Sequence, residues 1–326
     1  MVKIDIISGF LGSGKTTFIK RMTEIWNSKN GSLAIIENDF GSVNLDAAYL
    51  SLSNVRITEL NAGCVCCSLT GRLADSLSDI LKQINPSRII LEPSGVARLS
   101  DVLNTIRRLQ PTLPVEPGSI ITMAIPFRSP AQRSRFFGTY KNQLQHANLI
   151  LPGQLDLMSP EKQQQFLKIL KEDAEGVPIW NTPWMETDLE MLLSFASCPE
   201  KEYREQQLSS AFLPKMRPSD HTNLCSLTFD LEGISSSDTV CHFLKIVMEQ
   251  PDRYGILLRA KGFLKASDKA SLKISLNSLG IHLEPCSLSS PEKLVLIGTS
   301  LNWNGIRKLF GEITTLPAKT EISATT

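Results

Sequence analysis

The sequence has no surplus of charge of either sign. Its 34 lysines and arginines stand against 33 aspartates and glutamates, a formal net charge of +1. A neutral chain lays down no broad electrostatic footprint for nucleic acid or an anionic membrane, so binding a polyanion requires a local site. No apolar run approaches the roughly 18 residues needed to span a bilayer. The opening residues MVKIDIISGF lead into glycines where a secretory leader needs a long apolar stretch and a cleavage site. The expectation is a soluble, cytoplasmic protein with neither nucleic-acid nor membrane partners. Histidine is scarce, and His146, His221, His242 and His282 are dispersed as surface or core residues are, not clustered as ligands. There is no Ser/His/Asp triad, no paired-carboxylate hydrolase pattern, no internal repeat and no low-complexity segment. What remains is 42% hydrophobic and 21% charged over 326 residues, which excludes wholesale disorder. At about 150 residues per domain, that length suits two domains.

Cysteine is present in an odd number, seven, and three of the seven crowd together at Cys64, Cys66 and Cys67. Cys198, Cys225, Cys241 and Cys286 are scattered. Near neighbours bridge one another poorly, and a chain of this size needs no staples. Reduced thiols follow, with the cluster pointing to metal or redox chemistry. A buried, inert trio is the alternative, since a free cysteine packs like a small hydrophobe.

In the first part, short β-branched runs alternate with amphipathic stretches. Strands are expected at Lys3–Ile7, Ser32–Ile36, Val55–Leu60, Arg88–Leu91, Ser119–Ile125, Asn148–Leu151 and Val177–Trp180. Helices are expected at Thr16–Trp26, Leu69–Ile84, Ser100–Leu109, Ser134–His146 and Pro160–Asp173. That alternation implies an α/β fold with a mostly parallel, doubly wound sheet over residues 1–197. Residues 198–223 are polar and charged and read as a linker. Residues 224–315 follow as a smaller α+β domain with a mostly antiparallel sheet. Its strands are expected at Leu224–Leu231, Gly255–Ala266, Ser271–Leu276 and Leu294–Gly298, and its helices at Ser237–Gln250 and Asn304–Gly311. Residues 316–326 form a flexible tail.

The strongest chemical signal is Gly9-Phe10-Leu11-Gly12-Ser13-Gly14-Lys15-Thr16, which fits G-x-x-x-x-G-K-[ST] between an expected strand and an expected helix. Glycines let backbone N–H groups turn inward around phosphate oxygens, and the helix N-terminus adds partial positive charge. Gly9, Gly12, Ser13, Gly14, Lys15, Thr16 and Thr17 are the candidate nucleotide-binding residues. Lys15 would reach the β- and γ-phosphates and Thr16 would ligate Mg²⁺. Glu92 ends an apolar strand and Gly95 follows it, so the acid is placed to hold a Mg²⁺-bound water and the Gly95 N–H to sense the γ-phosphate. Lys15, Thr16, Glu92 and Gly95 are thus the candidate catalytic residues. Glu37-Asn38-Asp39-Phe40-Gly41 leaves a second strand where acids can meet Mg²⁺ or another metal. In Gly63-Cys64-Val65-Cys66-Cys67, thiolates suit Zn²⁺ but need a further N or O ligand, for which Asp39 is a candidate.

A P-loop, an N-[DE]-F-G turn, a G-C-x-C-C segment and an E-x-S-G strand end, in that order, resemble the CobW-like P-loop GTPases, relatives of the nickel-insertion GTPases of hydrogenase and urease. The second domain is similar too, at Leu257–Leu264 and Lys293–Gly298. The resemblance implies hydrolysis of GTP to GDP, with Mg²⁺ as cofactor. It also implies an internal site for Zn²⁺ or Co²⁺ built from Cys66, Cys67, nearby Cys64 and Asp39, where relatives usually carry Glu. The implied partner is a client metalloprotein or corrinoid-dependent protein, with the chain a monomer or homodimer. Where relatives read guanine with N-K-x-D, this chain has Gly153-Gln154-Leu155-Asp156. Asp156 can still accept from the base, but the Asn and Lys are gone, which weakens guanine selectivity by about tenfold. A usual Val-Val-Asp-Ala strand end is replaced by Met123-Ala124-Ile125-Pro126, without its acid, and no histidine-rich run is present. The alternative function is a nucleotide-gated interaction module with relaxed base selectivity and weak turnover.

Overall fold

Six apolar runs of the first part become the parallel strands of one sheet. The computed structural model describes residues 1–28, 32–37, 56–59, 69–180, 182, 184–197, 224–234, 236–267, 270–286 and 291–315. The expected linker (198–223) and tail (316–326) lie outside these residues. The strands are β1 (Val2–Gly9), β2 (Leu33–Glu37), β3 (Arg56–Glu59), β4 (Arg88–Glu92), β5 (Val115–Ala124) and β6 (Leu149–Pro152). They lie in the order β3-β2-β4-β1-β5-β6, and every adjacent pair is parallel. Strands of such a sheet are buried on both faces and read as near-continuous apolar runs. Ile4, Ile6 and Ile7 are each 0% exposed, and Leu33 through Ile36 are buried throughout.

The helices of this unit are α1 (Lys15–Ser28), α2 (Leu69–Gln83), α3 (Leu99–Leu109), α4 (Pro130–Gln145), α5 (Pro160–Asp173) and α6 (Leu189–Phe195). On α1, Phe18, Ile19 and Met22 fall on one face and join Ile7, Leu33, Ile90 and Ile121 in the core. The strand order reverses at β1, which has β4 on one side and β5 on the other. In an open α/β sheet, the carboxyl ends at such a reversal bound a crevice suited to ligands.

Strand β5 begins at Val115, four residues before the expected Ser119, and other expected elements of this unit differ locally too. Val177–Trp180 is not a strand but makes a single bridge, Ile150 to Ile179, beside β6. Pro178 has no N–H to extend the ladder. Helix α4 starts at Pro130, four residues before the expected Ser134. Ser129 accepts a hydrogen bond from the Gln132 N–H and Pro130 occupies the first turn, two features that favour a helix start. Helix α6 was not expected; Asp188 caps it by accepting from the Glu190 N–H at 2.9 Å.

The second unit is built on β7 (Leu224–Asp230), β8 (Ile256–Ser267), β9 (Ala270–Asn277), β10 (Gly280–Cys286) and β11 (Lys293–Thr299). Their order is β10-β9-β8-β11-β7, with every adjacent pair antiparallel. Helices α7 (Ser237–Glu249), α8 (Pro251–Tyr254) and α9 (Trp303–Thr315) complete it. Phe229, Phe243, Tyr254, Leu264 and Leu296 belong to its own core. Strand β10 was missed because His282, Glu284 and Pro285 break its apolar pattern. It is an edge strand, where proline and exposed polar side chains are tolerated.

Candidate nucleotide-binding site

The chain leaves β1 at the carboxyl edge of the first sheet and must turn sharply into α1. Gly9 makes this possible with φ +139°; a Cβ there would lie 2.3 Å from the Met123 carbonyl oxygen of β5. The next residue, Phe10, is 2% exposed and packs edge-on against Phe136 of α4 at 5.1 Å. The Ser13 hydroxyl, fully buried in the loop, has no hydrogen-bond partner among the described residues. A buried donor without a partner is costly, and a phosphate oxygen is an acceptor that would satisfy it. The first turn of α1 carries no acidic residue, which leaves its partial positive charge to an anion. The loop therefore fits a phosphate group.

Lys15 is 5% exposed. Its ammonium donates to the Phe10 carbonyl at 3.3 Å and lies 3.6 Å from a Glu92 carboxylate oxygen. Burying an ammonium requires such partners. Thr16, in the first turn, is half-buried and Thr17 is exposed. Glu92 ends β4, in register with Glu37 of β2, which in turn is in register with Glu59 of β3. Three adjacent strands thus end in glutamate. Beyond Glu92, the buried Gly95 passes against the loop so closely that a Cβ would lie 2.8 Å from the Leu11 nitrogen. The structure thus places Lys15 beside Glu92 and Gly95 beside Leu11 of the same loop.

The turn after β6 closes the other side. The Gly153 N–H donates to the Ala124 carbonyl at 2.7 Å. A Cβ at Gly153 would lie 2.3 Å from the Ser13 carbonyl oxygen, so an asparagine does not fit here unless the loop shifts. Gln154 adopts φ +57° and donates from Nε2 to the Gly12 carbonyl at 3.2 Å. Asp156 sits exposed in a one-turn 3₁₀ helix, Leu155–Leu157. The contact from Gln154 was missed in the sequence, where its only signal was occupancy of the position usually held by lysine.

The expected metal ligands Asp39, Cys64, Cys66 and Cys67 lie outside the described residues. Among the described residues, no group of three or more His, Cys, Asp or Glu side chains could hold a metal ion. Glu37, two positions before Asp39, is 5% exposed at the end of β2. Among the described residues, Cys225, Cys241 and Cys286 take part in no disulfide. Burial, reinforced by Asp238, pushes the Cys241 thiol up, which keeps it a thiol and a poor metal ligand near neutral pH. Among the described residues, no helix is long and apolar enough to cross a membrane.

Comparison with known proteins gives consistent matches. The profile described as the CobW/HypB/UreG nucleotide-binding domain matches residues 3–180. The zinc chaperone YeiR of Escherichia coli (strain K12) is 23% identical over 331 residues, covering 94% of this chain and 96% of YeiR. The zinc chaperone YjiA of the same organism is 33% identical over 110 residues, 32% of this chain and 34% of YjiA. Among solved structures, the Zn(II)-bound YjiA GTPase from E. coli aligns at 18% identity with a TM-score of 0.40, over 96% of this chain and 98% of that one.

Proposed function

The chain belongs to the CobW/HypB/UreG nucleotide-binding family, and from that premise we propose that it is a Mg²⁺-dependent GTPase whose nucleotide state controls transfer of a divalent metal to a client metalloprotein. The observation that carries this reading is the phosphate-fitting loop. Its serine hydroxyl is buried without a partner among the described residues, its lysine is buried beside Glu92, and its helix N-terminus has no acid.

In this proposal Gly9, Gly12, Ser13, Gly14 and Thr17 surround the phosphates, and Lys15 neutralises the β- and γ-oxygens. The Thr16 hydroxyl and, through water, the Glu92 carboxylate are oxygen donors of the kind Mg²⁺ takes. When bound, Mg²⁺ offsets the charge that develops on the transferred phosphoryl group. Gly95 offers its N–H to the γ-phosphate, and Asp156 accepts from the base. Cargo metal, zinc first and cobalt next, would be held by Cys66 and Cys67 with Cys64 nearby, and by a carboxylate from Asp39 or Glu37. The zinc chaperones named among the relatives support zinc. We further propose that residues 224–315 form the platform for the client, joined through residues 198–223, in a cytoplasmic monomer or homodimer.

A second reading, a nucleotide-gated interaction module for a metalloenzyme or corrinoid-dependent protein with little turnover, draws on Gly153. The tight contact there excludes the asparagine that would read guanine. Titration with GTP, ATP and GDP separates the two: GTP is expected to bind at least tenfold more tightly than ATP, and equal affinities would remove the guanine assignment. Zinc and cobalt titration of the wild type and of Cys66→Ser/Cys67→Ser tests the metal role. Unchanged affinity in the double variant would sink it.

A further inference from the structure

Helix α4 carries a glutamine where its pattern asks for an apolar residue. Phe136, Tyr140, Gln143 and Leu144 make up one buried stripe at helical spacing, and Gln143 is 0% exposed. Its Nε2 donates to the Gly95 carbonyl at 3.2 Å and to the Ala97 carbonyl at 2.9 Å, across 48 and 46 residues of sequence. Its neighbour Asn142 accepts from the Ser100 N–H at 3.2 Å and donates to the Ser100 hydroxyl at 3.1 Å. Two adjacent amide side chains of one helix thus hold the segment that runs from Gly95 to the start of α3. On its other side, Gly95 presses on Leu11 of the phosphate loop. The segment is clamped between α4 and the loop.

The clamp is incompletely satisfied. Both protons of the Gln143 amide point to carbonyls, while among the described residues its buried Oε1 has no partner and the buried Ser94 hydroxyl also lacks one. Turning the amide over would set oxygen against two carbonyl oxygens, so the donor assignment is the sound one. A second arrangement of residues 94–97, in which an O–H or N–H of the segment reaches Oε1, would satisfy what this one leaves unmet. An element with two such arrangements can be biased by a ligand that contacts only one of them.

We propose that Gln143 is a positioning residue that sets the place of Gly95 and thereby couples α4 to recognition of the γ-phosphate. The proposal rests on the GTPase reading above, in which the Gly95 N–H meets that phosphate. In that reading a diphosphate lacks the phosphate that Gly95 meets, so Gln143 acts on triphosphate binding and turnover and leaves GDP alone.

The test compares GDP with a non-hydrolysable GTP analogue in the full chain and in Gln143→Leu, which keeps the apolar stripe but removes the donors. The expected result is a GDP Kd within about twofold of wild type, with the analogue Kd and the kcat for hydrolysis of GTP itself each worsened by about tenfold. Equal losses for both nucleotides would mark a merely structural residue and overturn the proposal, as would no loss for either. If Gln143→Leu does not fold, hydrogen exchange on the wild type decides. Exchanging GDP for the analogue should change protection in residues 94–98 and 140–145 together, and a change in neither or in only one overturns it. A wild type that binds no nucleotide would overturn the GTPase reading and this proposal with it. Normal binding with an indifferent Gln143→Leu overturns this proposal alone.

Discussion

Gly153 and Asp5 are single residues whose surroundings leave few choices. At Gly153 the Ser13 carbonyl lies where a side chain would begin. Restoring the asparagine usual in relatives, Gly153→Asn, is therefore expected to weaken GDP binding by about tenfold or more, equivalent to ~1.4 kcal/mol, by pushing the phosphate loop out of place. Fluorescent nucleotide titration checks this, and a gain in preference for guanine over adenine nucleotides would contradict it. Asp5, fully buried on β1, pairs with both Arg88 nitrogens that face it and accepts from the Ser119 N–H at 2.7 Å, tying β4 and β5 to β1. Asp5→Ala strands the part-buried Arg88 charge and should cost about 3–5 kcal/mol. Urea unfolding measures it; a loss below about 1 kcal/mol would show that the pair is dispensable. The P-loop residues were legible because their chemistry is written in eight consecutive positions. Gly153 on Ser13, Gln154 on Gly12 and Gln143 on Gly95 were not, because each joins distant segments that only the folded sheet brings together.

At the scale of elements, period and punctuation decided what could be read. The buried strands β1, β2 and β4 announce themselves as unbroken apolar runs, and α1 by Phe18, Ile19 and Met22 after the glycines. The edge strand β10 does not, since one polar edge places little demand on its side chains. Helix α4 is a mixed case: its body was legible, but its first turn depends on the Ser129 cap and Pro130. Ser129→Ala should therefore cost about 1 kcal/mol, read as a lower urea midpoint at unchanged slope. No shift would mean that Pro130 alone fixes the start. The polar residue in that helix's buried stripe was the one available hint of Gln143, and it is visible only if a break in pattern is treated as information.

For the whole molecule, the described residues form two compact units, each with its own core. Tryptophan reports on them separately: Trp26, Trp180 and Trp184 are in the first and Trp303 is in the second. A ligand stabilises only what it binds, by about 2.7 kcal/mol at a hundredfold excess over its Kd. GDP at that excess should raise the unfolding transition seen in a Trp303→Phe variant by this amount. The transition seen in a variant retaining Trp303 alone should not move; equal shifts would mean that the two units unfold as one.

The phosphate loop also meets two neighbours backbone to backbone, through Gly9 on Met123 and Gly153 on Ser13. Contacts of that kind have no side-chain rotamers to yield, so the loop behaves as a rigid die rather than a closing hand. Nucleotide capture then needs little rearrangement of the loop itself, and its encounter rate should follow diffusion and orientation. With a net charge of only +1 there is no long-range attraction to hasten that encounter. Selectivity between nucleotides would accordingly be expressed in how long each one stays.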